Sequence, residues 1–348
     1  MQKKIVSINE CKPGQILARD VYNVNGYLMV SENTRLNSFI IERLKEEHVI
    51  TVMVYVPDEQ EEERFKKYRE VERKYRSTVQ SVKKIINDLA VGKKLERESV
   101  EQVSSSILDS LPDKSSVLMC LSSVRSYDEY TFNHSVNVSF YSMLIASWIK
   151  LPHDKLKMAV EAGLLHDIGK AKIPPEVLNK KGKLTEKEYE LMKKHPVLGY
   201  EMIKESKIDI PEDVMNGILM HHEREDGHGY PLGLKGRQIP VVAKIAALAD
   251  VYDALTSQRI YKDRETPFDT FRELEIGGMG HFDTAMLLTF LQNISSYYIG
   301  AEVIMNTGEK GRVVSVLPMN ISYPIVEING KYVDLSRDKN LKIVKLAN

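Results

Sequence analysis

Histidine and aspartate side chains recur in a fixed order between residues 134 and 253. They are His134, His166, Asp167, His195, His221, His222, Asp250 and Asp253. Imidazole and carboxylate groups without thiolates suit iron, manganese, zinc, cobalt and nickel, and the pattern does not choose among these metals. A metal site is therefore the leading hypothesis. The alternative is a buried ion-pair network that involves Lys170 and Arg259.

The spacing of these residues indicates how helices would bring them together. His166 and Asp167 end a strongly apolar helical segment, and His221 and His222 end a second one. Adjacent helical residues point about 100° apart, so both members of a pair can reach one ion only if it lies between them, inside the bundle. Burying such groups without partners would cost several kcal/mol, and a metal would remove that cost.

The surrounding sequence predicts an all-α bundle at the centre of a multidomain chain. Apolar helical segments follow one another over residues 110–295, with no strand pattern between them, and Thr185 and Glu188 form a capping-box signal. Residues 1–57 predict a small α+β module with a hairpin turn at Asn25-Gly26. Residues 296–348 alternate β-rich runs with turns, which predicts a small β-barrel-like module.

Residues 58–109 predict a helical linker, which opens with a charged helix over 59–95. An apolar seam recurs along that helix at intervals of three or four residues. Its members are Phe65, Tyr68, Val71, Tyr75, Val79, Val82, Ile86 and Leu89. The seam has two interpretations of equal weight: a connecting helix packed on its own domain, or a coiled-coil-like homodimer contact.

Composition narrows the class of protein. Lys+Arg and Asp+Glu both number 49 among 348 residues, so no charge bias indicates a nucleic acid polymer as partner. No apolar run reaches the roughly 18 residues that a membrane span needs. Cys11 and Cys120 lie far apart and predict reduced thiols. We therefore expect a cytoplasmic protein with no membrane association.

Three motifs together resemble the HD-GYP family, the bacterial HD phosphohydrolases that degrade cyclic di-GMP. They are HDIGK at 166–170, His195-Pro196, and HHEREDGHGYP at 221–231. The resemblance covers roughly residues 110–295. It implies an all-helical HD-type fold, a centre of two or three divalent transition-metal ions with iron or manganese foremost, and hydrolysis of cyclic di-GMP by a metal-bridging hydroxide.

The same resemblance assigns roles residue by residue. It implies a first metal held by His134, His166, Asp167 and Asp250, and a second held by His195, His221 and His222, with Asp167 bridging both. Asp167, Lys170 and Asp128 are the implied catalytic residues, with Lys170 facing the scissile phosphate and Asp128 near the nucleophile. The implied substrate-binding residues are Arg259, Lys262, Tyr230 and Asp253.

One departure from the family pattern limits the expected product. Members with a third metal carry a glutamate four residues before the first histidine, and this chain has Tyr130 there. We therefore expect two metals and hydrolysis mainly to linear pGpG, with slower conversion to GMP. Two alternatives stay open: an HD-type phosphohydrolase for another cyclic dinucleotide, and a non-catalytic cyclic dinucleotide sensor.

Overall fold

The structure is a computed structural model that describes residues 2–23, 27–56, 59–90, 93–123, 130–256, 266–318 and 320–347. The chain divides into two compact units, Met1–Arg69 and Glu70–Asn348. This division is coarser than the four segments predicted from the sequence, and their boundaries near residues 57, 109 and 295 stay predictions.

The first unit combines short antiparallel strands with one helix. Its elements are β1 (Gln2–Ser7), β2 (Ile16–Leu17), β3 (Val21–Tyr22), β4 (Leu28–Val30), α1 (Ser38–Glu46) and β5 (Thr51–Val56). The strands pair in the order β1-β5-β2, with β3 and β4 as a separate pair. Leu17, Leu44 and Val54 are fully buried in its core. The predicted turn at Asn25-Gly26 lies outside the described residues.

Helix α2 (Glu59–Ala90) carries the predicted apolar seam. Within the second unit, Val71, Tyr75, Val79 and Val82 are buried. By contrast, Phe65 in the first unit is 53% exposed. The later part of the helix therefore packs on its own unit, as the connecting-helix interpretation predicts. The homodimer contact stays a prediction.

The predicted helical core is confirmed in the second unit. After α2, the helices are α3 (Arg97–Leu108), α4 (Lys114–Ser123), α5 (Tyr130–Trp148), α6 (His153–Leu165), α7 (Pro175–Leu178), α8 (Glu186–Met192), α9 (His195–Ser206), α10 (Glu212–Met220), α11 (Val241–Thr256), α12 (Pro267–Gly277) and α13 (Thr284–Ser296). Helix α6 packs against α5, α10 and α11, and α3 covers it from another side. Small residues such as Ala243 and Ala246 on α11 are fully buried, which allows close helix contacts.

The end of the chain forms a five-stranded antiparallel sheet. Its strands are β6 (Glu302–Met305), β7 (Lys310–Leu317), β8 (Asn320–Ile328), β9 (Lys331–Asp334) and β10 (Ile343–Leu346). They are ordered β10-β6-β7-β8-β9. The sheet contacts α12 and α13, and Ser322 Oγ donates a hydrogen bond to Glu275. The sheet is thus confirmed, while its barrel-like form stays a prediction.

Across the described ranges, no helix is both long enough and apolar enough to cross a membrane. The cytoplasmic location stays a prediction.

Candidate metal centre

Three helices of the bundle bring together the four residues predicted to hold the first metal. His134 lies on α5, His166 and Asp167 follow the last residue of α6, and Asp250 lies on α11. His134 Nε2 is 3.0 Å from Asp250 Oδ1 and 3.6 Å from Asp167 Oδ2. His166 Nε2 is 3.3 Å from Asp167 Oδ2 and 3.9 Å from Asp250 Oδ1. These nitrogen and oxygen atoms therefore surround a common point.

A second cluster contains the three histidines predicted to hold the other metal. His195 begins α9, and His221 and His222 follow the last residue of α10. One ligand atom from each lies within 4.8 Å of the other two. His195 Nε2 and His221 Nε2 are 3.1 Å apart. The structure thus brings together three imidazoles from two separate helix ends.

Asp167 lies between the two clusters. Its Oδ1 is 3.4 Å from His195 Nε2, while its Oδ2 faces His134 and His166. The side chain is buried, so water does not compete for these oxygens. A carboxylate that directs one oxygen to each cluster has the geometry of a bridging ligand.

Helix ends fix the orientation of three of the imidazoles. His166, His195 and His221 each donate Nδ1–H to a carbonyl oxygen three residues earlier, in the last turn of α6, α8 and α10. The acceptors are Gly163, Met192 and Ile218, each at 2.8 Å. Carbonyls in the last turn have no intrahelical donor, so they are open to such bonds. Because a carbonyl only accepts, the proton is on Nδ1, and Nε2 presents its lone pair to the cluster.

Two buried atoms show that these side chains fit a cation. Among the described residues, His166 Nε2 and Asp167 Oδ1 have no hydrogen-bond partner. A buried polar atom without a partner costs about 1–3 kcal/mol. A divalent ion held between the two clusters would satisfy both atoms. Nitrogen and carboxylate donors suit several transition metals, so the set does not identify the metal.

Ionisation of these groups also suits metal binding. Burial lowers the pKa of His195 and His221, and it lowers the pKa of His222 to about 4. Burial opposes the charge on Asp167, but His166 and Lys170 outweigh it and hold the Asp167 pKa well below its usual range. His134 differs, because burial opposes its charge but Asp250 and Asp253 outweigh burial and raise the pKa of His134 well above its usual value. The second cluster therefore presents neutral imidazoles and Asp167 an ionised carboxylate, the states that bind cations, whereas a cation at the first cluster would displace a proton from His134.

Asp253, which the family resemblance places with the substrate-binding residues, is buried and only 2% exposed. Its role in substrate binding stays a prediction. Its Oδ2 accepts a 2.7 Å hydrogen bond from His134 Nδ1, and its Oδ1 accepts a 2.9 Å bond from Asn137 Nδ2. Asp253 therefore lies behind His134 and orients its ring, as carboxylates often do for metal-ligating histidines.

Lys170 lies in the short 3-10 turn Ile168–Lys172 that follows Asp167. Its Nζ is 2.5 Å from Asp167 Oδ2, and 27% of the side chain is exposed, so the cation borders the centre from the solvent side. Gly169 lets this turn pack on α9, because a Cβ there would lie 2.0 Å from the carbonyl oxygen of His195. The glycine of HDIGK thus brings the turn close to His195.

Tyr230, which the family resemblance implies as a substrate-binding residue, borders the second cluster. Its ring stacks on that of His222 with centroids 4.7 Å apart, and its N–H donates to the His222 carbonyl at 3.1 Å. The loop that follows is held by Glu223, a residue for which the sequence predicts no role. The buried Glu223 carboxylate accepts hydrogen bonds from the backbone N–H groups of Leu232, Gly233 and Leu234. The signal in the sequence was a carboxylate directly after His221-His222 and before the loop that contains Gly227 and Gly229.

Three predicted site residues, Asp128, Arg259 and Lys262, lie outside the residues that the structure describes. Tyr130 is the first residue of α5, and only its backbone is described. Their roles stay predictions.

Together the helical bundle and the two side-chain clusters define an HD-type domain whose donor groups are compatible with divalent metal ions. Residues 119–286 match the family model described as HD domain. This part of the chain is therefore similar to the HD-domain family, and the motifs at 166–170 and 221–231 resemble those of its HD-GYP branch.

Relatives with curated names support this assignment. The chain is 36% identical over 229 residues to a cyclic di-GMP phosphodiesterase of Pseudomonas aeruginosa, which covers 66% of this chain and 54% of the relative. It is 37% identical over 178 residues to a cyclic di-GMP phosphodiesterase of Thermotoga maritima, and the match covers 51% of this chain and 48% of the relative. A 3'3'-cGAMP-specific phosphodiesterase of Vibrio cholerae is 35% identical over 170 residues, and the match covers 49% of this chain and 33% of the relative. The chain thus spans about half the length, or less, of these relatives.

A solved structure supports the fold. An HDG"Y"P protein from Bdellovibrio bacteriovorus superposes with a TM-score of 0.53 over 84% of this chain and 99% of that chain. The two sequences are 18% identical, so the likeness concerns the fold alone.

Proposed function

We propose that this chain is a metal-dependent phosphodiesterase that hydrolyses cyclic di-GMP. The observation that carries the proposal is the position of Asp167, whose two oxygens face two separate histidine clusters. That arrangement fits paired cations of the kind that phosphodiester hydrolysis uses. The Pseudomonas and Thermotoga relatives support cyclic di-GMP as the substrate.

Each cluster has a definite part in this proposal. His134, His166, Asp167 and Asp250 would hold one divalent ion, and His195, His221, His222 and Asp167 a second. When bound, such a pair supplies an acidified water as nucleophile and positive charge for phosphate oxygens. Iron or manganese is the proposed metal, with zinc, cobalt or nickel as alternatives.

The remaining residues act on the phosphodiester. Lys170 supplies a cation beside Asp167, where it would stabilise the negative charge that grows on phosphorus-bound oxygens in the transition state. Tyr230 forms one wall beside His222. From the family resemblance, Arg259 and Lys262 would hold the substrate's phosphates, and Asp128 would orient the nucleophile.

The test is a panel of cyclic dinucleotides incubated with manganese- or iron-loaded full-length chain, with products resolved by chromatography. We expect cyclic di-GMP to be cleaved faster than cyclic di-AMP or 3'3'-cGAMP. Faster cleavage of 3'3'-cGAMP would favour the second candidate function, which the Vibrio cholerae relative supports. Binding without cleavage would favour a non-catalytic sensor.

Replacing Lys170 with alanine is expected to lower kcat by about 10²-fold with a smaller effect on KM, since its charge matters most in the transition state. Steady-state kinetics and elemental analysis of the purified variant measure both effects. Lys172→Ala is the matched control, because Lys172 is an exposed lysine of the same turn. Metal loss in Lys170→Ala would instead assign Lys170 to support of Asp167.

We also expect linear pGpG to accumulate before GMP appears. The second cleavage must accommodate a terminal phosphate monoester, and the phenol of Tyr130 is a weak neutral ligand where a third metal would need a carboxylate. A chromatographic time course, combined with elemental analysis showing about two metals per chain, checks this. Tyr130→Glu is expected to raise metal content and speed the second step. Rapid stoichiometric formation of GMP by the two-metal wild type would contradict the expectation.

A further inference from the structure

We infer that Tyr75, on the helix that precedes the HD domain, is a positioning residue for the metal ligand His134. The inference rests on the proposed metal centre and adds a residue to its support. Tyr75 lies on α2, outside residues 119–286 that match the HD-domain family model. The support of the metal centre would then extend beyond the HD domain itself.

A buried series of hydrogen bonds joins Tyr75 to His134. The Tyr75 hydroxyl donates to Asn137 Oδ1 at 2.8 Å, and Asn137 Nδ2 donates to Asp253 Oδ1 at 2.9 Å. The other oxygen of Asp253 accepts from His134 Nδ1 at 2.7 Å. None of the four residues is more than 8% exposed, so water does not substitute for these bonds.

The donor and acceptor in each hydrogen bond show how Tyr75 affects the orientation of the Asn137 amide. A carboxylate only accepts, so Asn137 must turn its NH₂ group toward Asp253 and its oxygen the other way. The Tyr75 hydroxyl donates to that oxygen and so favours this orientation of the amide. The reversed amide would place its oxygen against the Asp253 carboxylate, which is repulsive. Tyr75 thereby stabilises the pair that holds the His134 ring with Nε2 toward Asp167 and Asp250.

Packing holds the Tyr75 ring in place for this bond. The ring stacks on Phe140 of α5 with centroids 6.0 Å apart and planes inclined by 28°. Phe140 and Asn137 are three residues apart on α5, so they lie on the same face of that helix. Tyr75→Phe would therefore keep the ring contact and remove only the hydroxyl.

The test measures metal affinity of the full-length chain. Mn²⁺ is titrated against a competing chromogenic chelator for wild type, Tyr75→Phe and Val79→Ala. Substituting a group hydrogen-bonded to a metal-ligating histidine typically weakens metal binding about 10–100-fold, and Tyr75 acts two residues farther away. We therefore expect Tyr75→Phe to weaken Mn²⁺ binding about three- to tenfold at one of the two sites, with the other unchanged.

Val79→Ala is the control for lost stability. Val79 is a buried residue of the same helix, and shortening it removes packing without touching the hydrogen-bonded series. We expect this variant to unfold more easily and to bind Mn²⁺ as wild type does. A loss of affinity equal to that of Tyr75→Phe would overturn the inference, since both effects would then follow from general destabilisation.

A double-mutant comparison sharpens the result. In an Asp253→Ala background the link to His134 is already broken, so Tyr75→Phe is expected to cause no further loss of affinity. An additive loss would overturn the inference, as would wild-type affinity at both sites in Tyr75→Phe alone. Absence of Mn²⁺ binding by the wild-type chain would instead overturn the proposed metal centre, and this inference with it.

Discussion

Replacing Asp167 with alanine is expected to leave the chain without either metal ion and below about 1% of wild-type phosphodiesterase activity. The reason is that Asp167 serves both clusters. Its Oδ1 is 3.4 Å from His195 Nε2, and its Oδ2 is 3.3 Å from His166 Nε2. Removing the carboxylate takes one donor from each proposed site. It also removes the negative charge that would offset the repulsion between two cations bound there.

Elemental analysis of the purified variants and chromatography of cyclic di-GMP products measure the outcome. Asp167→Asn keeps the shape of the side chain and removes its charge, which separates the electrostatic role from packing. Asp154→Ala is the matched control, because Asp154 is an exposed aspartate in the first turn of α6, the helix that Asp167 follows. Retention of about two ions in Asp167→Ala would show that the carboxylate is not the bridge.

Glu161→Ala is expected to lower the free energy of unfolding by about 3–5 kcal/mol, the cost of breaking a buried ion pair by removing one partner. Glu161 is fully buried on α6, and its two oxygens accept hydrogen bonds from Arg97 at 2.8 and 3.1 Å. Arg97 lies on α3 and is itself mostly buried. Truncation would leave its guanidinium without this buried partner and loosen α3 from the bundle.

Urea unfolding of full-length chain in the presence of EDTA measures this effect, because chelation removes any contribution from bound metal. Glu101→Ala is the matched control. Glu101 pairs with Arg97 and Lys157, but its side chain is 43% exposed, so its loss is expected to lower the free energy of unfolding much less than the loss of Glu161. Equal destabilisation by the two substitutions would contradict the buried ion-pair explanation.

Much of the metal centre follows from local sequence signals. The prediction that His166-Asp167 and His221-His222 end helices is confirmed, since α6 ends at Leu165 and α10 at Met220. The capping box at Thr185 and Glu188 is confirmed at the start of α8. Such signals are readable because apolar periodicity and end-capping depend on neighbours within one or two turns.

Other features depended on residues far apart in the chain. No local pattern indicates that Asp253 contacts Nδ1 of His134, 119 positions away, while Asp250, one turn earlier, contacts Nε2. Both carboxylates are on the same helix, so only the packing of α5 against α11 decides which one reaches Nε2. Glu223 acquired its role in the same way, from loop backbone folded back onto it.

By itself, the sequence determined the helical class of the core and the resemblance to the HD-GYP family, from which seven candidate metal ligands follow, because both rest on residue types and short-range spacing. Tertiary structure decided the rest. It set the position of Asp167 between the two clusters and the tautomers of the imidazoles. It also set the hydrogen bond from Tyr75 to Asn137, 62 positions later. Such bonds form between side chains that meet only when helices pack, and no local pattern in the chain specifies which ones will meet.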